Sequence, residues 1–262
     1  AFKYSYRGVL SVSEGVDRAV SGDATPECGD GIASKNAGWR FSGDMVNMFD
    51  EHIVRSIPWY HEGHDLVCQL SDYFLAEESI CYEIGMSTGA LLEKLVLHNH
   101  DVKPLVRYVG IDVEPEMVEK ARERLGENQQ VTLEVADATA FPYEKADMIV
   151  SYYAAQFTRP QVRQELFDRV YESLNWGGAF VLFEKIRGPD ARFQDLYTGL
   201  YHDYKLRQGY SPTEIVDKTR SLKGVLEPFS QKGNLDLLAR AGFSDVTPVM
   251  QFVCFQGLLA IK

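Results

Sequence analysis

Short apolar segments alternate with amphipathic segments along the middle of the chain, and this alternation constrains the fold more than any other feature. The strand-like segments, rich in Ile, Val and Tyr, are 80–84, 107–112, 131–135, 148–152 and 179–184. The helix-like segments between them include 89–98, 115–125 and 160–173. Because strands joined by helices pair in parallel through right-handed crossovers, the sequence predicts an α/β fold around a mostly parallel sheet.

Three regions depart from this alternation. Residues 1–42 are rich in Gly, Ser and Asp, which predicts a flexible N-terminal extension. Residues 43–78 carry apolar residues at helical spacing and predict two helices, the first ended by Pro58. Residues 188–230 contain helical segments without a strand, which predicts a helical cap inserted after the fifth strand. We therefore predict a single α/β domain over 43–262.

The last two strand-like segments, 244–250 and 252–261, follow a helical segment at 233–241. A parallel pair needs a crossover connection of a dozen or more residues, and no room exists for one between these segments. We therefore predict that the last two strands pair antiparallel.

Composition excludes several classes of protein. With 262 residues, 45% of them hydrophobic, the chain can bury a full core. No apolar run reaches the length of a membrane span, and no secretory signal opens the sequence, so we expect a cytoplasmic protein that does not bind membranes. The net charge of −11 disfavours nucleic acid as a partner. The basic residues interleaved with tyrosines over 185–223 are diluted by acidic residues, which indicates a solvated helical surface.

Cysteine and histidine spacing gives no metal-binding pattern. The four cysteines, Cys28, Cys68, Cys81 and Cys254, include no C-x-x-C pair and are expected to be free thiols. The segments 61–64 (HEGH) and 98–100 (HNH) resemble ligand clusters, but both are predicted to lie in turns without further ligands, so we predict no metal.

The segment 82–90, YEIGMSTGA, allows two interpretations. Its G-x-S-x-G spacing matches the nucleophile elbow of an esterase, and it also matches a glycine-rich loop that holds a cofactor. An elbow serine follows several strands, whereas Ser87 follows the first one, and no His-Gly-Gly segment precedes it. The acid and base that could complete a triad, Asp195 and His202, lie in the predicted cap. The loop is therefore better explained as a cofactor loop.

The neighbouring strand ends support this interpretation. Gly85 and Gly89 allow a tight turn before a helix N-terminus, and Asp112 ends the second strand, where a carboxylate can accept ribose hydroxyls. Asp137 ends the third strand. Ser87 replaces the glycine that a pyrophosphate needs, and Glu83 suits a cationic amino-acid group. Together these residues favour S-adenosylmethionine over a dinucleotide.

The motifs E-x-G-x-S-x-G, G-I-D and A-D-A resemble those of the class I S-adenosylmethionine-dependent methyltransferases. That resemblance implies a Rossmann-like seven-stranded sheet of order 3-2-1-4-5-7-6 with strand 7 antiparallel. Longer segments are similar to the carboxy-S-adenosylmethionine synthase family, which serves wobble-uridine modification in tRNA. They are FDEHIVRSIPWYHE, NWGGAFVLFEK, YHDYKLRQGYSPTEI, LARAGF and FVCFQGLLAIK, and the similarity covers about residues 48–262.

The resemblance and the strand ends together give a set of cofactor-binding candidates. These are Tyr60, Glu83, Gly85, Ser87, Gly89, Asp112, Val113, Asp137, Ala138 and Tyr152. Tyr152 stands where the resemblance implies an asparagine that contacts the cofactor. The resemblance implies that the arginine with which this family binds a carboxylate is replaced by Thr219, next to Arg220. Because threonine cannot form the bidentate pair of an arginine, we favour a methyltransferase that acts on a small molecule. The alternatives are a carboxy-S-adenosylmethionine synthase with prephenate as carboxyl donor, a divergent tRNA-modification homologue, and a non-catalytic binder.

The acceptor is expected above the strand ends, beneath the cap. The catalytic candidates are His202, Glu184 and Tyr152, and the substrate-binding candidates are Tyr153, Gln156, Tyr204, Arg207 and Arg220. Each has a purely structural alternative: the aromatic residues can pack the fourth strand against the cap, and His202 can be a hydrogen-bonded structural histidine. We expect the protein to be a homodimer.

Overall fold

The computed structural model describes residue 41 and residues 43–262. The predicted extension therefore lies almost entirely outside the described residues. The helices are α1 (Asp44–Ser56), α2 (Tyr60–Phe74), α3 (Ala90–Asn99), α4 (Pro115–Leu125), α5 (Pro160–Ser173), α6 (Ala191–Arg207), α7 (Pro212–Ser221) and α8 (Gln231–Ala241), with a 3-10 turn at Ala155–Phe157. The strands are β1 (Ile80–Ile84), β2 (Arg107–Asp112), β3 (Val131–Val135), β4 (Ala146–Tyr152), β5 (Leu174–Lys185), β6 (Asp245–Phe252) and β7 (Phe255–Ile261).

The strands form one sheet of order β3-β2-β1-β4-β5-β7-β6. Strands β1 to β5 pair in parallel, and β7 runs antiparallel to both β5 and β6. This confirms the predicted α/β class, the strand order and the antiparallel closing pair. The strand order reverses at β1, whose carboxyl end is continued by the glycine-rich loop, and such a switch point is where open α/β sheets bind ligands.

Strand β5 begins five residues earlier than predicted, at Leu174. The Asn-Trp-Gly-Gly run resembles a turn in sequence, and Gly177 does take a positive φ of 81°. The register between β4 and β5 shifts between Ala146 and Met148, so residues 175–178 form a bulge between the paired residues Leu174 and Ala179. The side chain of Asn175 also donates to Asp147 Oδ1 at 2.8 Å, which ties the irregular run to β4.

Both faces of the sheet are covered. Cys81 packs into a core that includes residues of α2, α3 and α4, whereas its neighbours Ile80 and Tyr82 pack into a second core with α5 and α8. All five residues of β1 are buried, which explains why the strand shows no alternation of apolar and polar residues; Glu83 is its one charged residue.

Helices α1, α6 and α7 meet beyond the carboxyl ends of the strands. Tyr201 of α6 donates to the carbonyl of Ser56 in α1 at 3.0 Å, and Lys218 of α7 donates to Ser56 Oγ at 2.9 Å. The N-terminus of each cap helix is stabilised by the side chain of the residue before it. Asp190 accepts a hydrogen bond from the first turn of α6, and Ser211 accepts one from the first turn of α7. No strand interrupts residues 190–222, as predicted.

Within the described residues, no helix combines the length and the apolar composition that a membrane crossing requires. The same residues include no group of three or more His, Cys, Asp or Glu side chains placed to hold a metal ion. Cys68, Cys81 and Cys254 are buried free thiols, and Cys28 lies outside the described part of the chain.

Candidate active site

A cavity of about 1180 Å³ lies at the carboxyl ends of the central strands. One group of lining residues, here called the first wall, follows or ends β1, β2 and β3; a second group, called the second wall, comes from the end of β5 and from α6 and α7. Residues of α1 line the cavity as well and contact both the glycine-rich loop and the cap. The volume exceeds that of a typical single-ligand pocket, so the cavity has room for a nucleoside-sized molecule and a second small molecule.

The glycine-rich loop forms the floor of the first wall. Gly85 has a φ of +69°, and a Cβ at this position would lie 2.3 Å from the Cβ of Ala154, so only glycine fits. The amide of Gly85 donates to the Ile111 carbonyl at 2.7 Å, which fastens the loop to β2. Ser87 also has a positive φ, of 54°, which turns the chain into α3. Gly89 caps α3 but does not line the cavity.

Asp112 lies beside this loop, and the backbone fixes both of its carboxylate oxygens. Oδ2 accepts from the amide of Ser87 at 2.9 Å, and Oδ1 accepts from the amide of Glu114 at 3.0 Å. Burial raises the pKa of the Asp112 carboxyl, although these amide hydrogen bonds oppose the effect. Each oxygen keeps a further acceptor position, so the group can accept two neighbouring hydroxyls from the cavity.

Glu83 is the buried acid of the same wall. It is 3% exposed and lines the cavity, and its Oε2 has no hydrogen-bond partner among the described residues. Burial, and then the nearby Asp112, raise the pKa of Glu83 well above its usual value. A cationic ligand group would supply the missing partner and favour the ionised form. This orphaned acceptor therefore fits the ammonium group of an amino-acid moiety.

The wall continues through the segment after β3. Asp137 Oδ1 accepts from both the amide and the hydroxyl of Thr139, at 2.8 and 2.7 Å. Asp137, Ala138 and Val113 all line the cavity. The predicted residues from three separate strand ends therefore lie along one wall.

The aromatic candidates at the end of β4 have internal partners. The Tyr152 hydroxyl donates to the carbonyl of Tyr60 at 2.7 Å, and it fills the space that a Cβ at Gly63 would occupy. Burial raises the pKa of Tyr152, so its phenol is a poor base. Tyr153 has a φ of +58° and is buried, and both residues line the cavity with Tyr60.

Gln156 and Glu184 connect β4 to β5. Gln156 accepts from the amide of Lys185 at 2.8 Å and donates to the carbonyl of Tyr153 at 3.0 Å. Glu184 accepts from the amide of Gln156 at 3.0 Å, and burial raises its pKa to about 8, with Arg163 opposing the shift. Gln156 lines the cavity, whereas Glu184 does not.

The cap brings two of its four predicted residues to the cavity. His202 and Arg220 line the cavity, whereas Tyr204 and Arg207 lie outside its lining. Burial, with Lys205 nearby, lowers the pKa of His202, which keeps its imidazole neutral near pH 7. The Arg220 side chain is 61% exposed and lies 3.7 Å from Asp217 of its own helix.

Three lysines of the basic stretch 185–223, for which the sequence predicted a solvated surface, instead line the second wall. They are Lys185, Lys205 and Lys218. Lys205 is 3% exposed and lies 4.9 Å from the ring centroid of Tyr201, and Lys218 bonds to His52 and to Ser56. One signal was available in the sequence, because Lys185 directly follows the strand end that contains Glu184. The inward placement of Lys205 and Lys218 had no such signal.

Arg163, another residue that sequence reasoning missed, holds the loop after β4. It is fully buried and donates to the carbonyls of Gln156, Thr158 and Glu227 at 2.6 to 3.2 Å. These bonds join the loop to the segment that follows α7, and so they fix the distance between the strand ends and the cap.

Comparison with known proteins gives two kinds of match. Residues 82–178 match a family described as "Methyltransferase domain". The chain is 32% identical over 225 residues to the carboxy-S-adenosyl-L-methionine synthase of Staphylococcus epidermidis, covering 86% of this chain and 97% of the relative. It is 36% identical over 229 residues to the protein of the same name from Desulfotalea psychrophila, covering 86% and 92%.

Solved structures match at lower identity and support the fold. The apo S-adenosylmethionine-dependent methyltransferase SibL gives a TM-score of 0.56 at 18% identity, over 78% of this chain and 55% of that chain. The N-methyltransferase NodS from Bradyrhizobium japonicum, in complex with S-adenosyl-L-homocysteine, gives a TM-score of 0.52 at 20% identity. The match covers 78% of this chain and 86% of that chain.

Proposed function

The chain belongs to the carboxy-S-adenosyl-L-methionine synthase family, and from this premise we propose that it transfers a carboxyl group from an anionic small molecule to S-adenosylmethionine. The predicted enzyme class, an S-adenosylmethionine-dependent transferase, and the predicted cofactor are confirmed by the family match. The observation that carries the proposal is the charge of the cavity lining, in which Glu83 and Asp112 belong to the first wall and three lysines belong to the second.

We propose that the first wall holds the cofactor. Glu83 binds its ammonium group, the loop at Gly85 and Ser87 approaches its amino-acid part, and Asp112 accepts its ribose hydroxyls. Asp137, Ala138 and Val113 enclose the base. Tyr60 and Tyr152 pack beside the amino-acid part, and Gly89 contributes by allowing the turn into α3.

When bound, S-adenosylmethionine would supply a sulfonium methyl carbon as the acceptor: a C–H bond of that methyl and the donor's bond to its carboxyl carbon would break, the new C–C bond would form, and the proton would leave with the remainder of the donor. The chain's own residues orient the two molecules and exclude water, which is where transfer reactions gain most of their rate. Tyr201 and Tyr153 lie between strand ends and cap and keep the cavity apolar around that carbon. The lysines of the second wall neutralise the charge of an anionic donor.

Methyl transfer to a small-molecule acceptor, which the sequence favoured, is compatible with the same cofactor site and is the second candidate. One observation favours it: the hydroxyl of Thr219 donates to the Ile215 carbonyl at 2.7 Å, and threonine offers a carboxylate no bidentate pair. In this candidate function the neutral imidazole of His202 takes a proton from the acceptor, beside Tyr153 and Gln156.

Mass spectrometry of the nucleoside products separates the two functions. The protein is incubated with S-adenosylmethionine and prephenate, and we expect carboxy-S-adenosylmethionine to form. An Asp112→Ala variant serves as the control without a ribose acceptor. Accumulation of S-adenosylhomocysteine together with a methylated acceptor would favour the second candidate. Absence of S-adenosylmethionine binding in calorimetry would refute both.

We further propose that the enzyme is a cytoplasmic homodimer that binds no nucleic acid. The net charge of −11 supports the last point, since a phosphate backbone is repelled on average. We also propose that 43–262 form one domain with a helical cap over 188–230, supported by the contacts of α6 and α7 with α1. Light scattering tests the dimer, and limited proteolysis tests the domain.

A further inference from the structure

Lys185 occupies a fixed position at the carboxyl end of β5. Side chains alternate along a strand, so Lys185 lines the cavity while its neighbour Glu184 is buried outside the lining. The amide of Lys185 is held by Gln156 Oε1 at 2.8 Å, and the amide of the next residue, Ile186, donates to the Cys254 carbonyl at 2.7 Å. The backbone on both sides of the lysine is therefore rigid.

The ammonium group of Lys185 has aromatic neighbours. Its Nζ lies 4.2 Å from the ring centroid of Tyr201 and 5.8 Å from that of Phe255. Within residues 43–262, no carboxylate or carbonyl lies within hydrogen-bonding or ion-pair distance of it. Burial, and the nearby Arg187, lower the pKa of the Lys185 ammonium. A buried charge normally has a counter-charge, and the open side here is the cavity.

Other cations of the cavity already have partners in the protein. Lys218 donates to Ser56 Oγ, Arg187 donates to the Pro228 carbonyl at 3.1 Å, and Arg220 lies beside Asp217. Lys205 lies over the same Tyr201 ring as Lys185, so it adds positive charge to the same place. An anion between the lysines and the cofactor wall would relieve this repulsion.

We propose that Lys185 determines substrate specificity at this site by binding a carboxylate group of the carboxyl donor. The identity of the donor rests on the proposed function, whereas the anion-binding role rests on the geometry of Lys185. The ammonium supplies up to three donors on a rigid strand end, and Tyr201 and Phe255 exclude water from the pair. The substrate class that fits is a small carboxylic acid.

The test is calorimetry of prephenate, with benzylmalonate as a second carboxylate probe, titrated into protein saturated with S-adenosylhomocysteine. We expect Lys185→Met to weaken probe binding about 10- to 100-fold, the loss of one charge-assisted hydrogen bond, with unchanged affinity for S-adenosylhomocysteine. Lys185→Arg should recover most of the binding. Lys223→Met removes an exposed lysine at the cavity rim and is the matched control, expected to bind like the wild type.

Several results would overturn the inference. They are wild-type affinity in Lys185→Met, an equal loss in Lys223→Met, or a wild-type protein that binds neither carboxylate. If Lys185→Met does not fold, the wild type is compared for benzylmalonate and its dimethyl ester, and equal binding of both overturns the inference. Lys185-dependent binding without formation of carboxy-S-adenosylmethionine would support the anion site and refute the proposed function.

Discussion

Replacing Glu83 with glutamine separates its role in the fold from its role in binding. The carboxyl is buried, the amide of Leu92 bonds to it, and its Oε2 has no partner among the described residues. Glutamine keeps the size and can accept the same amide, but it cannot carry the negative charge. We expect Glu83→Gln to lose one charge-assisted hydrogen bond to the cofactor ammonium, about 1.5–3 kcal/mol, or about 10- to 150-fold in Kd.

The same substitution should change how stability depends on pH. The folded-state pKa of Glu83 lies above its usual value of 4.5, so the folded state holds a proton that the unfolded state releases. The contribution of Glu83 to the free energy of unfolding is fully present below pH 4.5. It is lost as the pH rises toward the folded-state pKa, at about 1.4 kcal/mol per pH unit. Because glutamine does not ionise, Glu83→Gln does not lose this stability at high pH. At pH 8 the variant should therefore unfold at a higher urea concentration than the wild type.

Glu184→Gln is the matched control, because Glu184 is also a buried acid but lies outside the cavity lining. The folded-state pKa of about 8 for Glu184 predicts that the wild type loses stability as the pH rises from 4.5 to 8. The glutamine variant should not show this loss. Its affinity for S-adenosylmethionine in calorimetry should stay within about 3-fold of the wild type, below the loss expected for one charged bond. The reasoning is refuted if Glu83→Gln binds the cofactor as tightly as the wild type, or if both variants lose affinity equally.

Three further substitutions test the architecture by urea unfolding. Gly85→Ala places a Cβ 2.3 Å from that of Ala154 at a positive φ, and we expect a loss of about 1–3 kcal/mol together with weaker cofactor binding. Gly110→Ala places a Cβ 2.1 Å from Met86 Sδ and should cost about 1–3 kcal/mol, part of which Met86→Ala should restore. Arg163→Met leaves three loop carbonyls without their donor and should cost at least about 3 kcal/mol; a smaller loss would contradict its anchoring role.

Sequence periodicity predicted the alternation of β1 to β5 with their helices because the central strands β1, β4 and β5 are covered on both faces and are mostly apolar. The order of the strands came from the family resemblance, since periodicity does not encode which strands pair. The start of β5 was misplaced because Asn175, Gly177 and Gly178 are turn formers. They lie in an irregular stretch between the paired residues Leu174 and Ala179, and backbone hydrogen bonds of the two glycines with Lys262 hold it.

Candidates at the ends of β1 to β4 lie in the cavity because the carboxyl ends of parallel strands share one edge of the sheet. Glu184 at the end of β5 does not line it, because side chains alternate along a strand and Lys185 takes the cavity side. For the candidates on α6, the sequence does not show which face of the helix points into the cavity. The hydrogen bond from Tyr201 to the Ser56 carbonyl fixes that orientation. Lys205, one helical turn after Tyr201, therefore lines the cavity, while Tyr204 does not. A lysine in sequence indicates a solvated surface, so its burial under aromatic rings could not be predicted.

Charge in the cavity is separated in a way that the net charge of −11 conceals. The first wall contributes Glu83 and Asp112, and the second wall contributes Lys185 and Lys205. The acidic wall suits a cationic ligand such as a sulfonium that carries an ammonium group, and the basic wall suits an anion, so the protein lowers the cost of bringing opposite charges together out of water. A neutral methyl acceptor would leave the Lys185 ammonium without a counter-charge among the described residues. The electrostatic arrangement therefore favours a carboxylate co-substrate, even though position 219 holds a threonine.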